Sequence, residues 1–269
     1  MQTWFVTGAS AGIGRAVTEQ LLARGHRVAA TARRPEVLPR HERLWPARLD
    51  VTDPAELRTV VDKAFAELGR IDVVFSNAGR GAFGAAEELS DEAIDEQIAV
   101  NLTAPIRLVR AVLPHLRAQG GGRIIQTTTM GAHISSPGGS LYHASKWGVE
   151  GFLESVIGEV EPFGIGITMV EPGVVRTGFG AALSVAEPLA AYDGTPVGEV
   201  HRLLRSGADL TASAPGDPAR VAAAVIESAA VTPAPRRLAL GSDAYGAIRA
   251  ALTARLAELD ENLARSTDF

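Results

Sequence analysis

Tyr142 and Lys146 stand four residues apart in the stretch YHASK, at the start of a strongly periodic segment. On a helix this spacing puts phenol and ammonium on one face. A free tyrosine has a pKa of about 10, too high for efficient proton transfer near neutrality. A lysine held nearby favours the phenolate and is expected to lower that value. Alone, Tyr-x-x-x-Lys is a weak pattern, commonly a surface pair, so its meaning depends on what else the chain carries.

A second signal is TGASAGIG at 7–14, between an apolar run and a helical pattern. Gly8 permits a turn with positive φ. Gly12 lets backbone approach a ligand, and Gly14 lets the following helix pack closely on a sheet. The helix N-terminus then offers free N–H groups and a positive dipole end to a pyrophosphate. Its strand-before, helix-after context favours a dinucleotide over an empty glycine turn. A third signal closes the second apolar run, VAATARRP, where an NAD site usually places an acid. Here Ala32 is followed by Arg33 and Arg34, and Arg15 follows the last glycine of the loop. A guanidinium fork suits a 2′-phosphate, so NADP(H) is the expected cofactor, with NAD(H) possible. Two solvated arginines on a loop remain the alternative, above all for Arg34. The run QTTTMG at 126–131 is either β-branched strand or a source of one reactive hydroxyl.

These residues need elements to hold them. Apolar runs at 3–7, 27–31, 43–49, 71–75, 122–127, 166–170 and 237–240 read as strands. Between and after them, helical patterns cover 13–24, 54–68, 91–117, 141–161, 218–230 and 244–259. Asp53-Pro54 and Asp217-Pro218 each read as an N-cap followed by proline. Ser90, with Asp91 and Glu92 behind it, does the same with acidic residues at the dipole's positive end. The alternation predicts an α/β fold: a Rossmann-type, doubly wound sheet of about seven parallel strands with helices on both faces. One domain over 1–269 is expected. The Ala-, Gly- and Pro-rich stretch 178–216, with one short helix at 197–205, reads as a lid over the substrate.

Bulk composition narrows the function classes. The 269 residues are 46% hydrophobic and carry a net charge of −5, which gives no basic footprint for nucleic acid. No cysteine is present, which removes thiolate metal sites and cysteine nucleophiles and fits a cytoplasmic location. No run of about 18 apolar residues occurs, so no membrane span is expected. The six histidines lack metal-ligand spacing and no metal is expected; His133 is the best placed to touch substrate.

Taken in order, TGASAGIG at 7–14, LDVTD at 49–53, SNAG at 76–79, VNLTA at 100–104, YHASK at 142–146 and EPGVVRT at 171–177 resemble the short-chain dehydrogenase/reductase family, in its compact single-domain branch. The resemblance implies that Tyr142 is the general acid and base, with Lys146 lowering its pKa and holding the nicotinamide ribose. It implies that Asn101 helps to hold a proton-relay water. The cofactor would be held by Gly8, Ser10, Gly12, Ile13, Gly14 and Arg15 of the loop, by Arg33, and by Asp50 and Val51 at the adenine. Asn77, Ala78 and Gly79 would line the adenine-ribose side, and Pro172, Gly173, Val175 and Thr177 would cradle the nicotinamide. Asn101 as a structural amide and Asp50 as a simple cap are the bland alternatives. The family's usual serine, thirteen residues before the tyrosine, is here Thr129, which keeps the hydroxyl and adds a methyl group. Thr127 and Thr128 read as strand end.

The implied reaction is reversible reduction of a ketone or aldehyde by NADPH. NAD-linked alcohol dehydrogenation and a non-catalytic NADP(H)-binding sensor are the alternatives. Phe83, Met130, His133 and Phe179 are the expected substrate lining. The implied partners are a small carbonyl or alcohol substrate and further copies of the chain, as a homodimer or homotetramer built on the helices at 91–117 and 141–161.

Overall fold

A computed structural model describes residues 1–206 and 214–263. In chain order the elements are β1 (Thr3–Val6), α1 (Gly12–Ala23), β2 (Arg27–Ala32), β3 (Leu44–Arg48), α2 (Pro54–Leu68), β4 (Val73–Ser76), β5 (Ala82–Phe83), α3 (Asp91–Ile98), α4 (Ala104–Ala118), β6 (Gly122–Thr127), α5 (Ser140–Val160), β7 (Ile165–Pro172), β8 (Ser184–Val185), α6 (Pro196–Arg205), α7 (Pro218–Ser228), β9 (Arg237–Leu240) and α8 (Ser242–Glu261). Seven strands form one sheet in the order β3-β2-β1-β4-β6-β7-β9, parallel throughout. The chain winds outward in both directions from β1 and β4, and ligands of such sheets bind at that reversal, beyond the carboxyl ends of the strands.

Period-two alternation divides the core. Trp4 and Val6 of β1 pack with Val17 and Leu21 of α1 and Val221 and Val225 of α7 on one face. Phe5, between them, joins Leu57 and Val61 of α2, Leu108 and Val112 of α4, and Leu153 and Val156 of α5 on the other. Both Asp-Pro helix starts form as their sequences dictate. Asp53 accepts from the N–H groups of Ala55 and Glu56, and Asp217 from that of Ala219.

The segment expected as one helix at 91–117 is broken. A π turn at Ala99–Thr103 separates α3 from α4, with the Ala104 N–H reaching back to the Ala99 carbonyl. Pro105 gives the reason. It has no N–H to close onto the carbonyl of Asn101, four residues back, and its ring crowds that carbonyl. The carbonyl of Asn101 therefore lacks its ordinary helical donor.

The stretch 178–216, expected as a lid, folds more regularly in its described part than its composition suggested. β8 pairs in parallel with β5 in a two-stranded ribbon, and α6 follows. At the far end Gly216 returns to pair with Val175. Glu88 ties this segment down: its carboxylate accepts from the N–H of Leu189 at 2.8 Å and lies 2.7 Å from His201 Nε2 on α6. Residues 207–213 of the stretch expected as a lid, and residues 264–269, lie outside the described residues. Among the described residues no helix is long and apolar enough to cross a membrane.

Leu116 lies at the end of α4 remote from the carboxyl ends of the strands and is fully buried. Leu116→Ala is expected to lower the free energy of unfolding by about 2–5 kcal/mol in urea titration, with nucleotide affinity unchanged.

Candidate active site

The glycine loop is tight at two points. Gly8 has φ +65°, and a Cβ there would lie 2.9 Å from Ala78 Cα. A Cβ at Gly14 would collide with the Gly8 carbonyl and lie 2.5 Å from Asn77 Nδ2. The loop thus seats directly against the end of β4, with Ile13 packed into the core behind it. The N-cap of α1, Ala11, makes no side-chain cap, and the first turn carries no acid. That leaves N–H groups and dipole available to an anion, whereas α2, α3 and α7 are closed by Asp53, Ser90 and Asp217. Thr177 faces the loop, its Cβ 3.5 Å from where a Cβ on Gly12 would stand. An uncapped helix start beside a cradle that any Cβ would fill fits a dinucleotide phosphate.

Three strand ends are sewn together behind this loop. Asn77 Nδ2 donates to the carbonyls of Thr7 and Gly8 at 3.3 Å each, and Asn77 Oδ1 accepts from Thr127 Oγ1 at 3.2 Å. The Asn77 and Ala78 N–H groups both donate to Thr7 Oγ1, at 2.9 and 3.2 Å. The Asn77 side chain therefore braces β1, β4 and β6 to one another. Gly79 lies between Asn101 and Lys146, with a Cβ there 3.5 Å from Asn101 Oδ1 and 3.9 Å from Lys146 Nζ.

Helix α5 brings the reactive pair to the strand ends. Its buried residues, from Ser145 and Lys146 through Val149, Glu150 and Leu153, follow one helical stripe. Lys146 Nζ donates to the Thr127 carbonyl at 3.1 Å and lies 5.9 Å from the centre of the Tyr142 ring. Thr129 has extended backbone, and its Oγ1 accepts from the Gly131 N–H at 3.1 Å. The Thr129 hydroxyl lies beside the Tyr142 phenol and acts to lower its pKa. Thr127 and Thr128 are more than strand end. Thr127 contacts Asn77 and Lys146 as above, and the Thr128 hydroxyl donates to the Val170 carbonyl at 2.9 Å.

The acid–base balance differs from the one the sequence suggested. Burial pushes the Tyr142 phenol up to about 12, and the neighbouring Thr129 hydroxyl acts in the opposite direction. Burial pushes the Lys146 ammonium down to about 8, against the raising influence of Glu150. In this state the phenol holds its proton at neutral pH and Thr129, not Lys146, is the group that draws its pKa down.

The remaining expected site residues are placed as follows. Asn101 is fully buried and its side chain is committed to the backbone of Arg80, accepting from the N–H at 2.9 Å and donating to the carbonyl at 2.8 Å. Its amide is structural, which leaves its main-chain carbonyl as the group able to hold a water. Arg33 and Arg34 are exposed at the end of β2, and Arg33 together with hydrogen bonds from Thr52 lowers the Asp50 carboxyl, the Thr52 bonds being the larger cause. Asp50 Oδ1 accepts from the Thr52 N–H and hydroxyl, and Val51 packs against the core. Arg15 pairs with Glu19 at 2.7 Å on the surface of α1. Ser10 is half-buried in the loop. Pro172 ends β7, the Gly173 N–H donates to the Leu240 carbonyl at 3.0 Å, and Thr177 Oγ1 accepts from the Phe179 N–H at 3.3 Å.

Around Tyr142 the wall is aromatic. The rings of Phe83 and Phe179 lie 5.8 and 6.1 Å from it, and Gly81 lies against Phe83, Phe179 and Leu183. Met130 is half-buried beside Thr129. His133, expected in this wall, is instead buried with Nε2 3.1 Å from Glu171 and 3.5 Å from Glu150. A polar histidine near a pocket has a stronger pull in two buried carboxylates than in an apolar wall. Sequence reasoning missed Pro105 as the cause of the π turn and Leu183 as part of the wall; the first was legible as a proline inside a helical pattern.

The model of the short chain dehydrogenase family matches residues 2–187, and the chain belongs to that family of oxidoreductases. It is 38% identical over 248 residues to oxidoreductase BOA17 of Botryotinia fuckeliana (strain B05.10), covering 90% of this chain and 89% of that one. It is 35% identical over 189 residues to a 3-ketodihydrosphingosine reductase of Bacteroides thetaiotaomicron, covering 69% of this chain and 68% of that one. A crystal structure of a short-chain dehydrogenase from Streptomyces avermitilis superposes with a TM-score of 0.90 at 38% identity, covering all of both chains.

Gly14→Ala is expected to weaken nucleotide binding at least about tenfold in calorimetric titration, because the methyl group displaces Gly8 from the cradle. Wild-type affinity in that variant would contradict the placement of the phosphate site.

Proposed function

We propose that this protein is an NADPH-dependent reductase of ketones or aldehydes, with Tyr142 as the proton donor. The observation that carries this reading is the line Thr129–Tyr142–Lys146 at the carboxyl end of β6, with the phenol protonated at neutral pH. NADPH, when bound, supplies the hydride that the carbonyl carbon receives. Tyr142 gives its proton to the carbonyl oxygen as that bond forms, and an alcohol results. Thr129 already accepts from Gly131, so its own hydrogen is free to donate, and its rotor is set by that bond. It orients the substrate oxygen and stabilises the charge developing there. Lys146 and a water on the Asn101 carbonyl replace the proton that Tyr142 loses. In the reverse direction the same groups accept it.

Arg33 supports NADP(H) over NAD(H), since an exposed guanidinium at the end of β2 meets a 2′-phosphate where an acid would meet a hydroxyl, with Arg15 at the end of the glycine loop as the second expected cation. Phe83, Phe179 and Leu183 support an apolar or aromatic carbonyl compound, and the Bacteroides relative is named for reducing a keto group. Assembly into a homodimer or homotetramer along α4 and α5 is part of the same proposal.

Three outcomes are expected from a carbonyl panel followed by NADPH absorbance. Tyr142→Phe should keep NADPH affinity and lose at least about 10²-fold in kcat. Arg33→Ala should raise the KM for NADPH far more than that for NADH; equal effects would sink the NADP assignment. Lys146 is charged below its pKa of about 8 and neutral above it, so kcat/KM for reduction should be level through neutrality and fall as pH rises past about 8. A wild type that oxidises NADPH with no carbonyl in a broad panel would leave a nucleotide-binding protein without turnover.

A further inference from the structure

Behind Lys146 lies a buried ionic cluster that the reaction as described does not use. Glu150 follows Lys146 by one helical turn on the buried stripe of α5 and is 4% exposed. Its Oε2 lies 3.5 Å from His133 Nε2 and 3.5 Å from Arg237 Nε. Arg237, on β9, also reaches Glu171 Oε1 at 3.1 Å and Glu154 Oε1 at 2.5 Å. Glu171 ends β7 immediately before Pro172-Gly173, and His133 Nε2 lies 3.1 Å from it. The other oxygen of Glu150, Oε1, is buried and has no hydrogen-bond partner.

His133, Glu150 and Glu171 offer ligand atoms within 4.8 Å of one another, which by residue type alone would suit a divalent cation. Arg237 argues against that use. Its guanidinium already contacts both carboxylates, so positive charge occupies the space between them. Arg237 pairs with both buried carboxylates, and Lys146, beyond direct ion-pair contact, stands one helical turn before Glu150 on the same buried stripe. Arg237 lies at the outer margin, with its side chain 38% exposed, while Lys146 is 5% exposed.

We propose that Glu150 is a positioning residue for the reaction: its buried carboxylate, one helical turn from Lys146, is the counter-ion that keeps the ammonium charged, and His133 and Arg237 hold that carboxylate in position. Lys146 donates to one partner, the Thr127 carbonyl, and an ammonium has three hydrogens. An ammonium this deep would shed its proton without a negative charge close by. The groups facing it from the neighbouring elements are otherwise neutral: Tyr142 on its own helix, the Asn101 amide of the π turn, and the threonine run of β6. Arg255 of α8 is turned away, donating to the His133 carbonyl and stacking on Trp147 with 4.3 Å to the ring centre. Burial lowers Lys146 and the Glu150 charge opposes this, while burial and the neighbouring Glu171 charge raise Glu150 and Thr128, His133 and Arg237 oppose that.

The importance of this arrangement for catalysis rests on the proposed role of Lys146, but its test needs no turnover. The chain has two lysines, Lys63 and Lys146. Protein labelled with ¹³C at lysine Cε therefore gives two resonances, and Lys63, exposed on α2, serves as the reference. The wild-type Lys146 signal should titrate with a midpoint near 8. In Glu150→Gln the midpoint should fall by about one unit, a tenfold change in the ionisation constant. Glu150→Asp, which keeps the charge on a shorter stem, should recover part of that fall, and the alkaline limb of kcat/KM should move with the midpoint in each variant. A folded Glu150→Gln protein with the wild-type Lys146 midpoint overturns the proposal. If that variant does not fold, Glu150→Asp decides: a midpoint lower than wild type supports the proposal and an unchanged midpoint overturns it. A wild type without carbonyl turnover would leave this titration readable, so the two readings fail separately.

Discussion

A single hydrogen bond, Lys146 Nζ to the Thr127 carbonyl at 3.1 Å, joins helix α5 to the carboxyl end of β6. The rest of the site is positioned from that junction. Thr127 passes the constraint through its hydroxyl to Asn77, and Asn77 passes it to the carbonyls of Thr7 and Gly8. The glycine loop, the central strands and the helix that carries Tyr142 are thereby fixed to one another by buried polar contacts. Such contacts are directional, and each one lost would leave a buried group unpaired. The sheet supplies stability through its two apolar faces; these few bonds supply the register that chemistry needs.

The threonine run shows how closely the two tasks share residues. Thr127 ties β4 to β6, Thr128 ties β6 to β7, and Thr129 accepts from the Gly131 N–H beside Tyr142. β-Propensity explains why threonines are tolerated here. It does not explain three hydroxyls with three partners. Threonine at 129 also has a backbone anchor, the Gly131 N–H, which fixes the direction of its remaining hydrogen.

Much of this was legible in the sequence, because the sheet is made of apolar runs and its helices carry their own caps. All seven strands of the main sheet fall where those runs lie, and α2 begins and ends where the Asp-Pro pair and Gly69 dictate. Less was legible where long-range partners decide. The break before α4 follows from Pro105, a local signal overlooked inside a long periodic segment. The β5–β8 ribbon joins residues a hundred positions apart and has no periodic signature of its own. His133 looked like pocket wall because its neighbours in sequence are; Glu150 and Glu171, which draw it inward, arrive from other elements. The pKa of Tyr142 follows from burial, a property that the i,i+4 spacing does not contain.

In the proposed reaction the Thr129 hydroxyl, held by the Gly131 N–H beside Tyr142, does the work usually given to a serine in this family. The most direct measurement compares kcat for NADPH-dependent carbonyl reduction in Thr129→Ser and Thr129→Val, with nucleotide affinity measured alongside. Serine keeps the hydroxyl and valine keeps the shape. The account predicts activity near wild type for serine, and a loss of about 10²–10³-fold for valine at unchanged nucleotide affinity. A valine variant that turns over like the wild type would contradict it.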